Sequence, residues 1–331
     1  MEKMIDLVQK FPAQLREAIA IGNAAVINKH AQPIRSIFVS GMGGSGIGAN
    51  FVQELTRSEL KIPFIVGKSY EIPNFVGKNT LVIISSYSGN TEETLNALEL
   101  AIPTGAKIVC VSSGGKIMDK AKALNLDYIT LPSGWSSPRA CLGFSLTQQL
   151  FILNKLKLIS NKIIKQLDGA VALLEKNQPA LNKEGEKIAG KMLGFIPVIY
   201  ATDRMESVAV RFRQQINENS KLLCWHHVVP EQNHNELVGW QGGDNKYVVV
   251  YFRSKDDYAR NSLRIDISKK IIGEYTPHII ELWSKGRNLT EQMMYLVHLG
   301  DFISCHLSDL RGMDSVEIKV IDYLKAELAK V

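Results

Sequence analysis

Side chains able to grip an anion are densest between Leu81 and Thr94, LVIISSYSGNTEET, where an apolar run breaks into serines, a glycine and a threonine. Ser85, Ser86 and Ser88 supply hydroxyls, Gly89 lets the backbone turn closely, and Asn90 or Thr91 stands where a helix through Leu95, Leu98 and Leu100 would be capped. Free N–H groups at a helix start, ringed by hydroxyls, make a site for a phosphate monoester. An ordinary capped turn between strand and helix has the same composition, and the loop alone leaves both readings open. A second glycine-rich stretch, Gly41-Met42-Gly43-Gly44-Ser45-Gly46-Ile47-Gly48, would let backbone amides approach a ligand that any Cβ would hold off. Tight packing alone could also require these glycines. The stretch lacks the Gly-Lys-Ser/Thr ending of a Walker loop, and the following strand, Pro63 to Val66, ends in Gly67-Lys68 rather than in the acidic residue a dinucleotide site needs.

Acid–base chemistry has its own candidates in the densest polar region, Asn217 to Lys221 and His226 to Glu236. Three histidines and three glutamates there invite a metal reading. His226 and His227 are adjacent in an extended segment and point to opposite faces, so they cannot readily share one ion. A carboxylate and a histidine in loops at strand ends suit proton transfer better, although such a pair also occurs for structural reasons. Arg139, after Pro138 in a loop rich in Pro, Ser and Gly, could point its planar fork at an anion or make a surface salt bridge.

The elements that must position these groups read as α/β. Leu81 to Ile84 has no polar alternation, which predicts a strand covered on both faces in a parallel sheet, with ligands expected at its carboxyl end. Helical material from Met4 to His30 precedes strands at Ser36–Val39, Pro63–Val66, Leu81–Ile84, Lys107–Ser112 and Asp127–Leu131, with helices between. A mainly helical stretch, Leu142 to about Lys191, leads to a second α/β pattern. Its lysine-rich part, Lys155 to Lys165, reads as solvated helix faces. The second pattern has strands at Phe195–Tyr200, Leu222–Val229, Tyr247–Phe252 and His278–Trp283, and helices at Met205–Ile216, Tyr258–Ile272 and Leu289–Leu307.

Composition narrows the function classes. A chain of 331 residues fits two domains of roughly 150, and 45% hydrophobic with 22% charged residues is globular. The net charge of +6 suits an anionic substrate, and no basic block marks a nucleic-acid binder. Cys110, Cys141, Cys224 and Cys305 share no CxxC spacing and read as reduced core residues of a cytoplasmic protein. Met1 to Lys10 reads as an amphipathic charged segment rather than a signal peptide, and no apolar run approaches the roughly 20 residues of a membrane span.

Taken together, Gly41-Met42-Gly43-Gly44-Ser45-Gly46, Ser85 to Thr94, Ser137-Pro138-Arg139-Ala140, Asn217-Glu218-Asn219 and Asn233-His234-Asn235-Glu236 resemble, in order, the bifunctional phosphoglucose/phosphomannose isomerases of the sugar isomerase (SIS) superfamily. The resemblance covers nearly the whole chain. It implies two SIS domains, placed at 1–153 and 154–331, each a flavodoxin-like parallel sheet flanked by helices. It also implies a cofactor-free homodimer that binds no metal, acts on a sugar phosphate, and completes each active site with a histidine from the partner.

By motif, Ser86, Ser88 and Thr91 would hold the phosphate, Gly43, Gly44 and Ser45 would line the sugar pocket, and Arg139 would steady an enediolate. Glu218 matches the base that moves a proton between C2 and C1, and His234 the group that opens the pyranose ring. Lys325, in Ile321-Asp322-Tyr323-Leu324-Lys325, matches a lysine that assists ring opening. Where the family reads Asp-Pro-Thr, this chain reads Asp314-Ser315-Val316, so a hydroxyl often linked to use of the mannose epimer is displaced or missing. A sugar-phosphate-sensing regulator would bring a helix-turn-helix domain, and an amidotransferase a glutaminase domain beginning with cysteine. Neither is expected from this sequence, and a zinc-dependent phosphomannose isomerase would be silenced by chelators.

Overall fold

The computed structural model describes residues 2–328 and 330. The chain divides into two compact units. The N-terminal unit comprises Lys10–Glu175 with Gly286–Glu291, and the C-terminal unit comprises Met1–Gln9, Lys176–Lys285 and Gln292–Val331. The division thus falls at 175/176, beyond the 153/154 expected from the sequence. It lies inside the helix Lys162–Met192, all of which falls within the 154–331 expected for the second domain.

Helix α1 (Met4–Gln9) belongs to the C-terminal unit, and α2 (Phe11–Ala24), with proline in its first turn, opens the N-terminal unit. The chain then runs β1 (Ser36–Ser40), α3 (Gly43–Thr56), β2 (Phe64–Gly67), β3 (Thr80–Ser85), α4 (Glu92–Ala101), β4 (Lys107–Ser112), α5 (Gly115–Ala123) and β5 (Asp127–Thr130). The strands form a five-stranded parallel sheet ordered β2-β1-β3-β4-β5, the flavodoxin order. Strand β3 is central, and all six of its residues are buried, which is why Leu81 to Ile84 shows no alternation. Val82 and Ile84 meet Ala97, Leu98 and Ala101 of α4 and Ile117 of α5 in one apolar cluster. Each fully buried aliphatic side chain there contributes about 1.5–3 kcal/mol.

Helix α6 (Leu142–Lys155) is buried from Leu142 through Leu153 and packs on α2 and α3. Its polar groups are met within the unit, where Gln14 accepts from Gly143 N at 2.8 Å and Gln148 donates to the Ala18 carbonyl at 2.8 Å. The lysine-rich segment is not one helix face. Lys155 ends α6, Lys157 adopts φ +59°, Ile159 is buried, and α7 (Lys162–Met192) starts afterwards, so the lysines flank a turn.

The C-terminal unit continues with β6 (Ile196–Thr202), α8 (Glu206–Ser220), β7 (Trp225–Val229), α9 (Glu236–Gly239), β8 (Tyr247–Arg253), α10 (Ala259–Ile272), β9 (Ile279–Trp283), α11 (Leu289–Leu310) and α12 (Lys319–Leu328). Its four strands are parallel, in the order β7-β6-β8-β9, repeating the first four positions of the other sheet. Helix α8 buries two rows of side chains. Val208, Phe212 and Ile216 form an apolar row, whereas Arg211, Gln215 and Asn219 form a polar one. The polar row meets α11. Arg211 grips Asp301 with two hydrogen bonds of 3.2 and 2.8 Å, and Asn219 donates to Ser304 Oγ at 2.9 Å. Among the described residues, no helix is long and apolar enough to cross a membrane.

Candidate functional site

At the carboxyl end of β3 the chain keeps its pairing for one more residue, with Ser86 N donating to the Val111 carbonyl, and then turns sharply toward α4. Gly89 makes the turn possible. It adopts φ +71°, and a Cβ there would lie 1.7 Å from the Gly114 carbonyl oxygen. The loop is held from three sides. Tyr87 O accepts from Ser113 N and from Ser113 Oγ at 2.7 Å, Asn90 Oδ1 accepts from Lys116 N at 3.0 Å, and Tyr87 OH donates to Pro132 O at 2.9 Å. Burial pushes the Tyr87 hydroxyl up to about 12, so it stays protonated as a donor.

Within this frame Ser86 Oγ lies 2.8 Å from Thr91 Oγ1 and accepts from Gly89 N at 3.2 Å, while Asn90 N donates to Ser88 Oγ at 3.3 Å. Thr91 occupies the cap position of α4, but its hydroxyl turns to Ser86 instead of capping a helix N–H. Ser86 is buried, Thr91 half-buried and Ser88 exposed. The result is a pre-shaped rim of hydroxyls and amides at a helix N-terminus, which is what a phosphate dianion needs. Sequence reasoning did not single out Tyr87, although a lone aromatic among serines was the available signal.

Two further predicted residues meet beside this loop. Helix α3 begins at Gly43, so the glycine cluster lies largely inside the helix rather than before it. Its members divide in role. A Cβ on Gly46 would lie 2.4 Å from the Gly41 carbonyl oxygen, so that position serves packing, whereas Gly43 has open space around it. Gly44 faces the turn Pro138–Cys141, with its would-be Cβ 3.4 Å from Pro138 O and 3.7 Å from the Arg139 Cα. Ser45 is buried, and its carbonyl accepts from Ser145 Oγ at 3.4 Å. Arg139 is 6% exposed, which rules out the surface salt bridge. The Ser137 hydroxyl of the same turn is buried with no hydrogen-bond partner.

In the C-terminal unit the topologically equivalent loop, between β8 and α10, reads Ser254-Lys255-Asp256-Asp257. Asp257 there accepts from Thr202 Oγ1 at 2.9 Å and Ser254 N at 2.9 Å, and burial holds its carboxyl above the usual range. A carboxylate of the chain takes the donors that a bound anion would take.

Glu218 lies in the last turn of α8, not in the loop its polar neighbours predict, and is half-buried. Its neighbours are fixed. Asn217 Nδ2 donates to Leu222 O at 2.8 Å, Asn219 reaches Ser304, and Ser220 Oγ donates to Ser304 O at 2.8 Å. His234 ends a short 3-10 turn, Glu231–His234, after β7, and is exposed. The residues around it are pinned. Asn233 Nδ2 donates to Ser268 Oγ at 2.8 Å, and Glu236 Oε1 accepts from Tyr200 OH at 2.5 Å and Trp225 Nε1 at 3.0 Å. A fixed backbone thus presents one exposed imidazole. Lys325 lies on α12, where it is exposed. His226, by contrast, is half-buried, 3.9 Å from Glu206, and burial with nearby Arg213 lowers it to about 4, so near neutral pH it carries no charge.

The sequence matches two family models, a SIS domain over residues 32–153 and a bacterial phospho-glucose isomerase C-terminal SIS domain over residues 181–328. It is 38% identical to a bifunctional phosphoglucose/phosphomannose isomerase of Aquifex aeolicus, covering 92% of this chain and 93% of that one. A protein of the same name from Caldicellulosiruptor bescii is 36% identical, with 99% of each chain covered. In fold the chain is similar to the C-terminal domain of glucosamine-fructose-6-phosphate aminotransferase from Francisella tularensis, with a TM-score of 0.78 at 14% identity, over 95% of this chain and 98% of that one. With its two doubly wound sheets and full-length likeness at this identity, the chain belongs to the bifunctional phosphoglucose/phosphomannose isomerase family.

Proposed function

We propose that the protein interconverts glucose 6-phosphate and mannose 6-phosphate with fructose 6-phosphate. The observation that carries this reading is the hydroxyl rim Ser86, Ser88 and Thr91, pre-shaped at the start of α4 within a family of that activity. The two aldoses differ only at C2, and both give the same cis-enediol once the C2 proton leaves. One base can serve both once rotation about the C2–C3 bond presents either C2 proton to it.

In this reading the phosphate is held by Ser86, Ser88 and Thr91, and the sugar lies against Gly43, Gly44 and Ser45. His234 opens the ring, aided by Lys325. Glu218 takes the proton from C2 while the aldehyde oxygen gains one, giving the enediol. The C2 hydroxyl then gives up its proton, and Glu218 returns its own to C1. Arg139 offsets the negative charge that develops on the enediolate oxygens. At Asp314-Ser315-Val316, where the resemblance implies Asp-Pro-Thr, the hydroxyl linked to the mannose epimer is displaced or missing.

The protein acts as a homodimer in which His234 serves the partner's site. In support, α12 carries an exposed apolar stripe, Val320, Tyr323, Leu324 and Leu328. The test is fructose 6-phosphate formation from each aldose, with EDTA present, by wild type and Glu218→Gln. Loss of the base should cost at least about 4 kcal/mol of barrier, roughly a thousandfold in rate. A variant retaining more than about a tenth of the rate would remove Glu218 from the role of base.

A further inference from the structure

Lys221 closes α8 in the left-handed region, φ 52° and ψ 41°, where glycine would be at ease and a residue with a Cβ is not. Its side chain offers a reason for its presence. The ammonium donates to the Glu218 carbonyl at 2.7 Å, the Asp314 carbonyl at 2.7 Å and the Glu317 carbonyl at 2.8 Å, one acceptor for each of its N–H groups. The first acceptor is the main chain of the proposed base. The other two belong to the turn that leads into α12, the helix bearing Lys325.

Helix α12 buries none of its residues, so packing within the chain does little to place it. Its approach is fixed instead by polar ties to the end of α8. Besides Lys221, Arg311 Nε donates to Ser220 O at 2.9 Å, and Asp314 Oδ1 accepts from Val316 N at 2.8 Å, closing the turn. Both cations meet carbonyls at a helix C-terminus, where positive charge is favoured.

The geometry points to Lys221 as a positioning residue of the isomerase. It ties the turn 314–317, and through it Lys325 on α12, to the end of α8 that carries Glu218. This rests on the roles proposed above for Glu218 and Lys325. It adds a mechanical link between them that neither role requires.

The test compares full-length wild type, Lys221→Gly, Lys221→Met, Lys325→Ala and the double variant Lys221→Gly/Lys325→Ala. Glycine suits the left-handed backbone, so Lys221→Gly should melt no lower than wild type, which separates positioning from folding. Its kcat for glucose 6-phosphate should fall about tenfold with KM changed less than about twofold, and Lys221→Met should lose turnover alike. Amide exchange across residues 316–328 should quicken in both. On the Lys325→Ala background the Lys221→Gly loss should vanish, because the tether acts through the helix that carries Lys325.

Turnover of Lys221→Gly within about twofold of wild type would overturn the proposal. So would losses that multiply in the double variant, or a fall in melting temperature with undiminished activity per folded molecule, since Lys221 would then only cap α8. Glu218→Gln, assayed alongside, keeps the two claims apart. If it stays active the base assignment fails, while the exchange data and the double variant still judge the tether.

Discussion

His226 is a histidine that the fold keeps uncharged. Burial acts first, then the charge of Arg213, then His227, and together they lower it from 6.5 to about 4. Between those values the unfolded chain binds a proton that the folded chain does not. Stability is therefore full above about pH 6.5 and falls as the pH drops toward 4. The loss from this one group is about 2–3 kcal/mol at pH 4. Denaturant titrations at pH 7.5 and 4.5 should show it, and His226→Gln should flatten the difference by most of that amount. Parallel losses in the two proteins would mean that His226 is protonated in the fold. Types and spacing made the hydroxyls Ser86, Ser88 and Thr91 legible as candidates, whereas Glu218 and His234 were singled out by the family motifs they resemble, and adjacency alone argued against His226 and His227 as joint ligands. Lys221 was not legible. Its three acceptors are main-chain carbonyls, which carry no side-chain signature, and two lie 93 and 96 residues away.

At the scale of elements, α8 is held to α11 by the buried Arg211–Asp301 pair, with side chains 3% and 5% exposed. Burial pushes the Asp301 carboxyl up, and Arg211 pulls it back. Removing one partner leaves a charge stranded. Asp301→Ala should therefore destabilise the protein by about 3–5 kcal/mol, and the apolar double replacement Arg211→Met/Asp301→Leu should cost far less. Equal losses, measured by chemical denaturation, would show that the pair is worth its contacts and nothing for its charge. The strands were legible to within a few residues, the central ones because buried parallel strands read as apolar runs. The end of α8 was not. Asn217, Glu218, Asn219 and Ser220 look like loop by composition, but the side chains of Asn217, Asn219 and Ser220 find partners on α11 and in the next turn, and those contacts override weak helix propensity. The glycines at the start of α3 misled in the same way, since Gly46 is helical and serves close packing against Gly41.

For the whole molecule the proposed shared site makes a prediction that no single-chain experiment can imitate. Glu218→Gln and His234→Ala should each be nearly inactive. Mixed under conditions that allow subunits to exchange, they should recover up to about a quarter of wild-type activity, as expected when half the molecules are mixed dimers with one intact site in two. No recovery after verified exchange would place His234 in the service of its own chain. The domain division was less legible than the folds it separates. Helix α7 runs through 175/176 without a composition break, and Pro179 within it does not end the helix.

Asp257 gives the second sheet a resident anion. Thr202 and the Ser254 amide satisfy themselves on it, so the loop that corresponds to Ser86–Thr91 enters the cell already occupied by its own chain. Two copies of one winding have thereby become unequal in appetite. With Asp257 on those donors, the second loop offers an incoming phosphate fewer open groups than the rim proposed at Ser86, Ser88 and Thr91.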